Sequence, residues 1–279
     1  MRTIPASQVE RVVAELCVRA NMELPEDIQR ALEQSREAEP WPTAGATLGV
    51  LCDNIRAAGE RCLPICQDTG LACVFLELGQ DMHIEGELYG AVNRGVSRGY
   101  TEGYLRKSVV ADPLRRENTG DNTPALIAVD IVPGDRLRVT VAPKGAGSEN
   151  MSALKMLKPS DGVEGVKRFV IDTVKSAGAN ACPPMVIGVG VGGSFDKAAL
   201  LAKKALLRPI DKRNPDEVYA ALERELLESV NALGVGPQGF GGRTTALGLN
   251  IEFMAAHVAS LPVAVNISCH VTRRASAVL

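Results

Sequence analysis

Up to Cys62 the apolar residues of this chain recur at the spacing of a helix face. Beyond it they come in short unbroken runs, cut apart by loops of glycine, proline, asparagine and aspartate. A period of about 3.6 residues calls for helices with one buried stripe, and runs of roughly four to eight apolar residues call for buried strands. The expected class is therefore α+β: an N-terminal helical layer followed by mixed strands and helices.

Val9, Val12, Val13, Leu16 and Cys17 set a helix over 7–20. Pro25 suits the first turn of a second helix to Ala38, and Thr43 is placed to cap a third that Gly59 ends. A buried strand follows over Leu71 to Leu78 and a helix over Glu87 to Gly99. Ala125 to Val132 and Arg136 to Val141 are expected to form an antiparallel pair through Pro133-Gly134-Asp135. Further on, helices are expected over Gly162 to Ser176 and Ser194 to Leu207, and from Pro215 to near Gly234. Strands are expected over 185–191, 246–253 and 261–268.

With 279 residues, one large domain or two fused lobes is expected. Apolar residues at 46% support a real core, and a net charge of −2 without runs of like charge gives no bulk attraction to nucleic acid or to a membrane surface. Aromatic residues at 4% argue against a stacking platform for bases. No apolar stretch reaches bilayer length and Met1 to Glu10 lacks the centre of a signal peptide, so a cytoplasmic protein is expected.

Seven cysteines, an odd number, fit reduced thiols better than a disulfide framework. Cys17, Cys52 and Cys73 lie in apolar helix or strand positions and read as packing. Cys66, Cys182 and Cys269 each lie in a loop at the end of an apolar segment, where side chains from distant parts of the chain can meet. Their spacing is neither a tight Cys-x-x-Cys pair nor a zinc finger, and Cys62 is a rival fourth thiol. Three thiolates on a cubane cluster leave one iron open as a Lewis acid, whereas four leave an electron carrier. Such a site also needs a cation for a carboxylate and a group that handles a proton. Arg106 could grip a carboxylate in a bidentate pair, or be a solvated surface arginine. Asp68 could move a proton, or hold its own loop through an Asx turn. His257 and His270 are two of three histidines, and Gly145 and Gly147 permit close backbone approach to an anion.

Gly188-Val-Gly190-Val-Gly-Gly193 matches G-x-G-x-x-G between a strand and a helix, with Asp211 near the offset of a ribose-binding acid. A nicotinamide-dependent oxidoreductase is the alternative it offers. Against it, the first half of the chain has no matching βαβ series.

Pro64-Ile-Cys-Gln-Asp-Thr-Gly70, Lys144-Gly-Ala-Gly-Ser-Glu-Asn150, Asn180-Ala-Cys-Pro-Pro184 and Gly188-Val-Gly-Val-Gly-Gly193 together resemble the class I fumarase and tartrate dehydratase family, over about residues 7–275. More narrowly, the chain resembles the α subunit of the two-subunit enzymes. The resemblance implies a [4Fe–4S] cluster bound at loops on Cys66, Cys182 and Cys269. It implies substrate-binding roles for Gln67, Arg106 and Gly145, and catalytic roles for Asp68 and His257. It implies a single α-type domain over residues 1–279 and a small dicarboxylate substrate. Single-chain members continue into a swivelling domain that brings a catalytic threonine, arginines and a lysine. Here a separate β subunit is expected to carry it, in an α2β2 heterotetramer. Lys144 to Asn150 and Leu105-Arg-Lys-Ser108 look like the fumarase branch, so hydration of fumarate to malate is expected, with tartrate dehydration as the alternative.

Overall fold

The structure, a computed structural model, describes residues 2–279. In chain order the elements are β1 (Arg2–Pro5), α1 (Ala6–Met22), α2 (Glu26–Ala38), α3 (Pro42–Arg61), β2 (Leu71–Gly79), β3 (Met82–Glu85), α4 (Leu88–Glu102), β4 (Leu126–Val132), β5 (Leu137–Lys144), the one-turn α5 (Ala146–Glu149), β6 (Ala153–Leu157), α6 (Gly162–Ala177), β7 (Met185–Gly193), α7 (Phe195–Ala205), α8 (Glu217–Asn231), β8 (Ala246–Ala256), β9 (Leu261–Ser268) and β10 (Ala275–Val278). The class is the expected mixture of helices and sheets. No helix among the described residues is long and apolar enough to cross a membrane. The chain divides into two units: Met1–Pro25, Ile55–Ala146 and Arg273–Leu279 form the first, and Glu26–Asn54 with Gly147–Thr272 the second.

The first unit is a four-stranded sheet ordered β10-β5-β2-β4 under α1 and α4, with β1 and β3 as a small parallel pair. Val9, Val13, Leu16 and Cys17 supply the buried stripe of α1. They pack with Val92, Val96 and Tyr100 of α4 and with Val74, Leu76, Val139 and Val141 of the sheet. The two helices approach closely because α4 carries glycine where they meet: a Cβ on Gly95 would lie 2.6 Å from the Glu10 carbonyl, and one on Gly99 2.7 Å from that of Ala14.

β4 and β5 are not the hairpin that Pro133-Gly134-Asp135 suggests. Both pair with β2, which runs between them, parallel to β4 and antiparallel to β5. Gly79 at the end of β2 is wedged against the turn, where any Cβ would lie 2.4 Å from the Gly134 carbonyl, and the Gly79 amide donates to Arg136 O at 2.9 Å. An apolar strand with two bare edges gains a ladder on each side, which a two-stranded hairpin would forgo. Two further expectations need correction. Thr43 lies inside α3 and does not cap it, and Gly59 does not end the helix, which runs to Arg61 before Cys62 takes a left-handed φ of 51°.

The second unit has a sheet ordered β6-β9-β7-β8. β7 is parallel to β8 and antiparallel to β9, with Val186 opposite Ser268 and Val191 opposite Val263. Alternation along β7 explains its glycines. Ile187, Val189 and Val191 pack in one core with Val170 and Val174 of α6 and Leu226 and Val230 of α8. On the other face a Cβ on Gly188 or Gly190 would lie 2.1 Å from the Ala202 or Ala198 carbonyl of α7. The G-x-G-x-x-G run therefore seats a helix against a strand, which accounts for Gly188 and Gly190 without a bound nucleotide. Glu223 of α8, fully buried, accepts from the Ile251 amide at 2.8 Å, the Asn214 amide at 3.1 Å and the Arg208 guanidinium. Burial works to lower the Arg208 pKa, but its hydrogen bonds to Glu223 and Glu252 outweigh that and hold it above its ordinary value.

Candidate functional site

In the first unit the loop from Cys66 to Gly70 joins α3 to β2, and three successive carbonyls of it are held by buried donors. Arg273 Nη2 donates to Asp68 O at 2.5 Å. The Tyr100 hydroxyl donates to Thr69 O at 2.7 Å and to Gly70 O at 3.1 Å. Asn122 Nδ2 also donates to Gly70 O, at 3.2 Å. Tyr100 and Asn122 are fully buried, and burial pushes the tyrosine hydroxyl well above its ordinary range. Gly70 is required here: at φ +74° it lies against Lys144, whose backbone would be 2.7 Å from a Cβ.

Asp68 forms the Asx turn expected of it. Its Oδ1 accepts from the Gly70 amide at 2.9 Å and its Oδ2 from the Ala146 amide at 2.9 Å. Its carboxylate thus ties the loop to the Lys144-Gly-Ala-Gly segment at the end of β5. A Cβ on Gly145 would come 3.2 Å from Asp68 Oδ2, so glycine keeps the approach to that oxygen clear. Thr69 Oγ1 donates to Arg106 O at 3.0 Å and anchors the arginine's backbone to the same loop. The Arg106 guanidinium is exposed and makes no ion pair among the described residues, so it is open to an anion. The Cys66 thiol donates to Gln67 Oε1 at 3.2 Å. Gln67, Asp68, Arg106 and Gly145 therefore meet along the loop from Cys66 to Gly70.

In the second unit Cys182 precedes β7 and Cys269 follows β9. Because these strands are antiparallel with Val186 opposite Ser268, both cysteines stand at one end of the sheet. Cys182 has a left-handed φ of 51° and an exposed thiol. Its carbonyl accepts from the His270 amide at 3.4 Å and lies 3.1 Å from His270 Nδ1. Gln238 braces the next residue, donating to Pro183 O from its amide at 2.8 Å and from Nε2 at 2.7 Å. Cys269 O accepts from Thr272 Oγ1 at 2.8 Å.

His257 is not brought to these cysteines. It follows Ala256, which pairs with Gly193 at the far end of β7. A strand of this length separates the two ends by about 25 Å. The side chain is exposed, with Nδ1 accepting from the Ala259 amide at 3.1 Å.

All seven cysteines are free thiols. Cys17, Cys52 and Cys73 are buried, as expected of packing residues, and burial pushes the Cys17 thiol up to about 12. Among the described residues no three His, Cys, Asp or Glu side chains converge as ligands of one metal ion. Iron–sulfur clusters take cysteine thiolates, and Cys66, Cys182 and Cys269 offer free thiols at loop ends, so the chemistry of the donor set suits a cluster. One feature of the first unit fits an anionic group in particular: Arg273 is only 4% exposed, and its Nη1 is buried with no hydrogen-bond partner. Arg273, Tyr100, Asn122 and Gln238 were not singled out by the sequence. The Arg273-Arg274 pair in an apolar stretch was the one signal available, since two cations there need a reason.

The sequence matches the family described as fumarate hydratase (Fumerase) over residues 10–278. It is 45% identical over 275 residues to a Methanocaldococcus jannaschii protein named "Putative L(+)-tartrate dehydratase subunit alpha", covering 96% of each chain. It is 35% identical over 272 residues to the L(+)-tartrate dehydratase subunit alpha of Escherichia coli (strain UTI89 / UPEC), covering 96% of this chain and 89% of that one.

Proposed function

We propose that this chain, which belongs to the fumarate hydratase (Fumerase) family, is the α subunit of an iron–sulfur hydro-lyase acting on a four-carbon dicarboxylate. The observation that carries the reading is the pair Cys182 and Cys269, held at one end of the β7–β9 ladder by backbone hydrogen bonds. Cys66 is the third thiol, on a loop fixed by buried donors.

Cys66, Cys182 and Cys269 would hold a [4Fe–4S] cluster, which supplies an open iron as a Lewis acid for a substrate hydroxyl and carboxylate. The chain's own residues do the rest. Arg106 offers two parallel N–H donors to a carboxylate. Gln67 adds an amide beside Cys66, and Gly145 leaves room for substrate against Asp68. Asp68 keeps a lone pair on each oxygen beyond its two backbone hydrogen bonds and can hold or pass a proton without releasing the loop. His257 joins from a second copy of the chain, since a full strand length separates it from the cysteines of its own unit. The partner that completes the site is a β subunit bearing the swivelling domain, in an α2β2 assembly. The name "subunit alpha" on the relatives supports a partner chain.

Two substrates compete. The family description and the Lys144 to Asn150 motif favour fumarate, hydrated to malate, while the names of the relatives favour tartrate, dehydrated. Both need removal or addition of water next to a carboxylate, so the same residues serve either.

The test is anaerobic reconstitution of the α chain with iron and sulfide, alone and with its β subunit. Visible and EPR spectra are recorded with and without each dicarboxylate. A cluster whose signal shifts on adding fumarate, malate or tartrate is the expected result, with turnover far higher in the presence of β. The ratio of kcat/KM values chooses the substrate. A chain that takes up no cluster, or a Cys66→Ala chain that keeps a full cluster and full turnover, overturns the reading.

A further inference from the structure

The guanidinium of Arg273 is the best-buried permanent charge beside the candidate loop, and it has no carboxylate to balance it. It is 4% exposed and makes no ion pair among the described residues. Two of its nitrogens are spent on neutral acceptors: Nη2 on Asp68 O at 2.5 Å and Nε on Pro143 O at 3.5 Å. The third, Nη1, is buried and donates to nothing. A guanidinium keeps its charge, so burying it without a counter-ion is destabilising even with two of its nitrogens hydrogen-bonded.

We propose that Arg273 is a positioning residue for the bound anion of this site. Its fork locks the Asp68 carbonyl to the end of β5, fixing the segment from Cys66 to Gly70, and its Nη1 donates to an anionic acceptor that arrives with the cluster or with the substrate. The inference rests on the hydro-lyase reading. The same chemistry comes from two sources, a cluster sulfide or thiolate and a substrate carboxylate. Arg273 follows Cys269 by four residues, so the last cysteine and this cation travel on one short stretch of chain.

Arg273→Met keeps the volume and removes the charge and all three donors. Arg273→Lys keeps the charge and loses the fork. Both are compared with wild type as αβ enzyme reconstituted anaerobically, and circular dichroism of the α chain checks folding. A donor that hydrogen-bonds to the groups holding a metal is worth roughly 10–100-fold in metal affinity or activity. If the acceptor is the cluster, Arg273→Met holds less iron per chain, its EPR signal changes without substrate, and its reduction potential falls, because a cation and a hydrogen bond to sulfur are lost. If the acceptor is a carboxylate, the cluster keeps its signal and potential and KM for the dicarboxylate rises about tenfold or more at little change in kcat. In either case Arg273→Lys recovers part of the loss, and it carries the test if Arg273→Met does not fold. A folded Arg273→Met enzyme with wild-type iron content, signal, potential and KM overturns this inference alone. A wild-type chain that binds no cluster overturns the functional reading and this one together.

Discussion

A thiol's surroundings decide what it can do, and the seven cysteines of this chain sort themselves by burial. Cys17 sits in the core between α1 and the sheet, where the thiolate has no solvation, and its pKa is pushed up to about 12. At neutral pH it is protonated and shielded. Cys62 and Cys182 are exposed, and Cys66 and Cys269 are half-buried at loop ends. Alkylation of the apo chain at pH 7.5 with iodoacetamide, read by mass spectrometry, should label Cys62 and Cys182 first, Cys66 and Cys269 more slowly, and Cys17 and Cys73 not at all. Cluster loading should then protect Cys66, Cys182 and Cys269 while Cys62 stays reactive. Protection of Cys62 in place of one of the three would reassign the ligands to include it.

Among the elements, helices were legible because their signal is local. The stripe Val9, Val13, Leu16, Cys17 names its own buried face, and α1, α2, α6 and α8 fall close to their expected limits. The pairing of strands was less legible because it is decided by residues far away in the chain. Nothing in Pro133-Gly134-Asp135 reveals that β2 will part the two strands around it, and the short strands β1, β3, β6 and β10 carry too few residues to show a period. The candidate site followed the same division. Cys66, Asp68 and Gly145 could be read from their loops, whereas Arg273 and Tyr100 serve the Cys66 loop from distant segments and show only in three dimensions. The glycine run of β7 makes the point quantitatively. Read locally it resembles a nucleotide turn, yet Gly188 and Gly190 face the backbone of α7. Gly190→Ala adds one methyl group 2.1 Å from the Ala198 carbonyl, and backbone cannot swing aside as a side chain can. The expected cost is about 1–3 kcal/mol of stability, read as a lower denaturant midpoint at constant m-value. Nicotinamide dinucleotide should bind neither protein, and saturable binding to the wild type that Gly190→Ala abolishes would revive the oxidoreductase reading.

At the scale of the whole molecule, the antiparallel ladder of β7 and β9 sets a distance that no side-chain motion can close. Cys182 and Cys269 stand at one end of it, and His257 at the other, about 25 Å away. On the proposed function, a histidine that acts at these cysteines would have to arrive from another copy, which would give an α2β2 assembly a chemical reason beyond stability. In a two-fold dimer each site would combine the cysteines of one chain with the histidine of its partner. Cys182→Ala and His257→Asn should each be nearly inactive as pure αβ enzymes. Mixed in equal amounts before reconstitution, half of the dimers pair unlike chains. In each of these, one site has wild-type cysteines facing a wild-type histidine, so activity should return to about a quarter of wild type. If His257 acted within its own chain, every site in the mixture would carry one lesion and no activity would return. Carrying the two variants on different affinity tags and purifying over both in turn isolates the hybrids, so silence in the assay then has one meaning: the histidine does not cross between copies, and its catalytic role falls with it.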